Sequence, residues 1–173
     1  MNGPDPREEL RAAIEGLAED RARTLLGWLR MVNRERREPK PAPSSPEESV
    51  GPLGDALGIV AEVREPGYSR MRLMIDPAWL NPNGVLHGGV VYTMVDYGMG
   101  GAVQAGLREG EHCATIEVKM NYLASVREGT LTAETNVVKQ GRNIAFVESK
   151  VVDEQGRIVA TATGSMFVFR GER

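Results

Sequence analysis

The side chains best equipped for chemistry fall in one short run. Asn81-Pro82-Asn83-Gly84-Val85-Leu86-His87-Gly88-Gly89 is followed, nine residues after His87, by the carboxylate of Asp96. Gly88 and Gly89 have no side chain, so their backbone can approach another group closely and take dihedrals closed to other residues. They open an apolar segment that reads as a helix, and a helix start offers unpaired N–H donors and the positive end of the macrodipole. Donors so placed can stabilise an oxyanion as a carbonyl becomes tetrahedral. Asp96 stands among apolar neighbours, where a carboxylate is costly without a partner or a task. The tasks open to it are nucleophile and general base. The plainer alternatives are glycines that serve packing and a carboxylate paired for structure.

Spacing adds a constraint. Gly88 and Asp96 are eight residues apart, which on a helix is about 12 Å along the axis. They cannot both reach one carbonyl within a single chain. If both act, they meet across a two-fold axis, with antiparallel helices from two subunits and two equivalent sites per homodimer.

The elements that must hold these residues are legible from patterning. Between Pro77 and Leu107 the single charged side chain is Asp96. A helix apolar on nearly every side is a buried helix. Before it, Ile59, Ala61 and Val63 alternate with polar residues, Glu65-Pro66-Gly67 marks a turn, and Met71, Leu73 and Ile75 alternate again, which predicts a hairpin. After it come four strand-like runs: Ile116 to Tyr122, Leu131 to Val137, Ile144 to Val152 and Ile158 to Val168. Their connectors carry Gly129, Gln140-Gly141 and Asp153-Glu154-Gln155-Gly156, and short turns between successive strands imply antiparallel pairing. The fold class is α+β: a curved antiparallel sheet of five or six strands wrapped around one long central helix, the hotdog architecture. An N-terminal helical arm precedes it. Residues 1–38 read as the arm, capped at Asp5 and broken near Gly16 and Asp20, with stripes Leu10, Ile14, Leu17 and Leu25, Leu26, Leu29, Val32 that should pack on the main domain or on a second subunit. Residues 39–50 read as a Pro/Ser-rich linker and 51–173 as the hotdog domain.

The run from Asn81 to Gly89, with Asp96 at its place in the helix, resembles the PaaI-like hotdog acyl-CoA thioesterases of phenylacetic acid degradation. The resemblance spans roughly residues 53 to 170 and includes Thr115-Ile116-Glu117-Val118-Lys119-Met120-Asn121-Tyr122-Leu123 and Val138-Lys139-Gln140-Gly141-Arg142. It implies hydrolysis of an acyl-CoA thioester. Gly88 would polarise the carbonyl through its N–H, with Asn81 and His87 shaping that site. Asp96 of the partner subunit would be nucleophile or general base, and Thr115 would hold the water. It also implies a homotetramer built from two dimers. Gly89 joins the substrate-binding residues. Lys139 and Arg142 flank a turn and either grip the phosphates of coenzyme A or form a charged hairpin tip.

Composition bounds the rest. The chain has 24 acidic and 21 basic residues, one cysteine (Cys113) and two histidines (His87, His112). That leaves no disulfide framework and no Cys-based zinc site, and no metal or other cofactor is expected. Near-balanced charge speaks against nucleic acid as partner. Asp96 and the clustered glycines speak against a membrane span. Asp5, Arg7, Glu8 and Glu9 stand where a signal peptide would be apolar, so the expected compartment is cytoplasmic. Two other readings stay open: a hotdog hydratase or dehydratase, and an acyl-CoA-binding or sensing module without chemistry.

Overall fold

The computed structural model describes residues 5–19, 21–23, 25, 26, 45 and 47–170. Helix α1 (Pro6–Glu15) begins where Asp5 accepts a hydrogen bond from the Arg7 N–H at 2.9 Å and ends at Gly16. Its apolar residues Leu10 and Ile14 are exposed, so the stripe expected to pack on the main domain is uncovered within one chain. Leu29, Val32 and most of the proline linker lie outside the described residues. A short helix absent from the patterning, α2 (Pro52–Leu57), starts with proline in its first turn and stops at left-handed Gly58.

The strands are β1 (Ile59–Glu65), β2 (Tyr68–Met74), β3 (Glu111–Tyr122), β4 (Thr130–Gln140), β5 (Ile144–Asp153) and β6 (Ile158–Arg170). All pair antiparallel in one sheet of order β1-β2-β4-β5-β6-β3. Three successions are hairpins, as patterned; β3 to β4 is not. The link Leu123–Gly129 buries Val126, whose carbonyl accepts the Leu86 N–H at 2.8 Å, while the Gly129 carbonyl accepts the Ile75 N–H at 2.8 Å. Chain tied down in this way cannot close a tight turn. It crosses the end of the sheet instead, leaving β3 on the free edge of β6.

The sheet cups α3 (Gly88–Gln104). Val90, Val91, Met94, Val95, Met99, Ala102 and Val103 of the helix are buried against Met71, Leu73, Leu131, Ala133, Val147 and Met166 of the inner sheet face. Burial of each large side chain contributes about 1.5–3 kcal/mol. The helix comes close enough to the sheet that a Cβ on Gly98 would lie 2.8 Å from Thr135 Oγ1, and the Gly98 carbonyl accepts the Ser69 hydroxyl at 2.7 Å. Any side chain at position 98 would lift the helix from its seat.

One expectation needs correction. The helix is not buried all round. Gly88, Tyr92, Asp96, Gly100 and Gln104 are half-buried or exposed, and their four-residue spacing places them along one open face. Packing on one sheet covers the side that carries the valines and methionines, and the glycines and polar side chains are left facing outward. No helix among the described residues is long and apolar enough to cross a membrane.

Candidate active site

Asp96 stands at the middle of the open face. Its Oδ1 accepts a hydrogen bond from the Thr115 hydroxyl of β3 at 2.7 Å. Thr115 is placed by a β-bulge: the register of β3 against β6 shifts between Thr115 and Glu117, and a bulge re-aims the side chain beside it. Both residues line a cleft of about 540 Å³ whose walls include Arg64, Tyr97, Gly100, Gln104 and Cys113. A carboxylate held by a hydroxyl in an open cleft can accept a proton from water or attack a carbonyl carbon.

The cleft walls contain residues that the motif did not include. Arg64 donates to the carbonyls of Glu47 and Ser49 at 3.2 and 2.7 Å and so fixes the segment before α2 at the rim. Gln104 donates to the Glu111 carbonyl at 3.1 Å and accepts the Cys113 N–H at 3.3 Å, tying the end of α3 to the start of β3. Burial, and then the nearby Asp96 carboxylate, push the Cys113 thiol above its ordinary pKa. Two signals could have found these residues. Gln104 continues the four-residue series through Asp96, and Cys113 lies two residues before Thr115, hence on the same strand face.

The other end of the open face is built from backbone. Asn81 Oδ1 accepts the N–H of Asn83 at 2.9 Å, and the Asn81 N–H donates to the Val85 carbonyl at 2.7 Å. Asn81 therefore shapes the loop rather than facing the cleft. The His87 N–H donates to the Trp79 carbonyl at 2.8 Å. His87 is the N-cap of α3, and its Nδ1 accepts the Gly89 N–H at 2.9 Å. That bond corrects one expectation: the Gly89 N–H is occupied and is not a donor for a ligand. Among the described residues, the Gly88 N–H has no acceptor within the protein. A second correction concerns dihedrals, since neither Gly88 nor Gly89 has positive φ. What Gly88 provides is closeness: a Cβ there would lie 3.1 Å from the Tyr122 ring.

Within one chain, then, Gly88 and Asp96 share a face but stand two helical turns apart, about 12 Å along the axis. Lys139 and Arg142 lie at the β4–β5 turn. The register runs Gln140 to Ala145 to Met166 to Thr115, so this turn is level with Thr115 but three strand spacings away, about 14 Å. Phe146 projects from the outer sheet face, as do Phe167 and Phe169, which alternate with buried Ala145, Val147, Met166 and Val168. Phe146 therefore does not line the cleft. Among the described residues no group of three or more His, Cys, Asp or Glu is placed to hold a metal ion.

A long helix cupped by one curved, six-stranded antiparallel sheet is the hotdog fold. The thioesterase superfamily model matches residues 83–160. A Saccharolobus solfataricus protein named only as an esterase is 34% identical over 114 residues, covering 66% of this chain and 75% of its own. The chain belongs to the thioesterase superfamily and is by family a hydrolase. Its fold is shared with a thioesterase-named protein of Streptococcus pneumoniae solved with coenzyme A, at 27% identity, TM-score 0.61, and 66% and 91% coverage of the two chains. It is shared also with PaaI of Escherichia coli, from the phenylacetic acid degradation operon, at 22% identity, TM-score 0.65, and 69% and 86% coverage.

Proposed function

We propose that the protein hydrolyses an acyl-CoA thioester to the free acid and coenzyme A in an active site shared between two subunits. The observation that carries this reading is the Asp96–Thr115 pair at 2.7 Å on the same open helix face as the unpaired Gly88 N–H. The superfamily supplies thioester hydrolysis, and the coenzyme A in the Streptococcus pneumoniae relative favours CoA as the thiol.

In the mechanism, the thioester carbonyl oxygen rests against the Gly88 N–H of one protomer. Water held by Thr115 of the partner subunit gives a proton to Asp96 of the partner subunit and adds to the carbonyl carbon. Negative charge then collects on the oxygen facing the donor. Collapse breaks the C–S bond, and the thiolate takes the proton back from the aspartic acid. Direct attack by Asp96 reaches the same products through a mixed anhydride, which water then opens. Asn81 and His87 hold the loop that carries the donor. Lys139 and Arg142 flank the β4–β5 turn, strands away from Thr115 within a chain, a placement that suits the phosphates of an extended CoA rather than its thioester. Residues 51–173 form the catalytic unit of this reading, with residues 1–50 an arm and linker outside it.

The test is thiol release from a panel of acyl-CoAs. Asp96→Asn should lower kcat by about 10³-fold with KM and subunit assembly unchanged. Turnover near the wild-type rate in that variant would end this mechanism. A sensing module would bind acyl-CoA and release no thiol.

A further inference from the structure

Tyr122, near the end of β3, has no task in the mechanism above. Its hydroxyl donates to the Gly88 carbonyl at 2.9 Å. Its ring rests against Gly88, where a Cβ would meet ring and hydroxyl atoms at 3.1–3.2 Å. Burial, and then the neighbouring Tyr92, push the phenol above its ordinary pKa, so it stays protonated and remains a donor through mildly alkaline pH. The Gly88 carbonyl belongs to the same planar peptide unit as the Gly89 N–H. That N–H is bonded to His87 Nδ1 at 2.9 Å. Both polar ends of the Gly88–Gly89 peptide are therefore held by side chains, one from the loop before α3 and one from an edge strand 34 residues further on.

The Gly88 N–H is on the adjoining peptide, and the two planes turn against each other only at the Gly88 φ and ψ. Glycine resists that turning least of all residues. We propose that Tyr122 is a positioning residue for the oxyanion donor: with His87 it clamps the Gly88–Gly89 peptide, fixes the dihedrals of Gly88, and so aims the Gly88 N–H at the carbonyl oxygen. The proposal rests on the reading of Gly88 as that donor. It explains why a glycine, which imposes no dihedrals of its own, can serve where orientation decides the strength of a hydrogen bond.

Tyr122→Phe keeps the ring and removes the hydroxyl. In the full-length protein it should lower kcat by about tenfold, with KM within about twofold of wild type, since misaiming a donor is a smaller loss than deleting it. A role in packing alone would leave kcat where it was. Glycine-selective ¹⁵N labelling supplies a readout independent of turnover. The amide signals of Gly88 and Gly89 should move in Tyr122→Phe while those of Gly110 and Gly156, in distant turns, stay in place. Unchanged kcat in Tyr122→Phe, with Asp96→Asn inactive alongside it, overturns the proposal. Wild-type turnover by Asp96→Asn overturns the underlying reading of the site instead. In that case the amide signals alone decide the clamp, and unmoved signals reject it.

Discussion

The two ends of the open face of α3 are built on opposite plans. At its start the proposed reactive group is a backbone N–H, and the surrounding side chains only hold the main chain: Asn81 folds the loop, His87 takes the Gly89 N–H and Tyr122 takes the Gly88 carbonyl. At its middle the proposed reactive group is a side chain, Asp96, held through Thr115 by a bulge in a distant strand. A group made of backbone survives almost any local substitution and is reached through its supports. A group made of side chain is removed by one change. The two plans predict different responses to mutation, and under the shared-site proposal their separation by about 12 Å gives each chain two half-sites rather than one whole site.

The contrast can be broken most sharply, beyond Asp96→Asn, at the helix start. Gly88 is the first residue of α3, a position where proline is well tolerated. The preceding His87 already has φ −64° and ψ 128°, the conformation a following proline demands. Gly88→Pro removes the N–H donor while the helix persists. The new ring also presses on Tyr122, so the loss is read against the smaller one expected of Tyr122→Phe. Turnover should fall about 10²–10³-fold with helical circular dichroism retained; undiminished kcat would remove Gly88 from the chemistry. A smaller loss is expected at the other end. Thr115→Val keeps the shape and deletes the hydrogen bond to Asp96, a bond to a charged group worth about 1.5–3 kcal/mol. It should cost roughly tenfold to a hundredfold in kcat, and Thr115→Ser should restore most of it. Equal kinetics for the Val and Ser variants would leave the hydroxyl without a role.

The smallest effect reads the charge of Asp96 without substrate. That carboxylate, after burial, holds the Cys113 thiol above its ordinary pKa, which lowers the thiolate fraction at a given pH. Replacing it by Asn lowers the thiol pKa and raises that fraction, so alkylation of Cys113 by iodoacetamide at mildly alkaline pH should quicken about two- to fivefold. An unchanged rate would mean that the charge does not reach the thiol.

Much of this arrangement was legible in residue types. The lone charge in an apolar helix pointed to Asp96, and strict alternation located the strands, because burial of one face writes itself into the chain with period two. What was not legible depends on partners remote in sequence. The short link before Thr130 reads as a hairpin, yet Val126 is drawn under Leu86 and sends β3 to the far edge. The open face of α3 was hidden because glycines and a tyrosine read equally well as close packing until the sheet is seen to cover only the opposite side. Tyr122 gave no signal, since its contact with Gly88 exists only once β3 and the helix start are brought side by side. Apolar Leu10 and Ile14 of α1 suggested packing, but amphipathicity names a face without naming what covers it.

The central claim is that a working site takes its donor from one subunit and its carboxylate from another. The direct test co-expresses Asp96→Asn and Gly88→Pro chains under two affinity tags, with wild-type and single-variant controls. Each variant alone is inactive. In a mixed dimer one site receives both intact halves and the other receives neither. A random one-to-one mixture should therefore recover about a quarter of wild-type thiol release, and doubly tagged dimers about half. Doubly tagged dimers with no more activity than either variant alone would contradict the shared site.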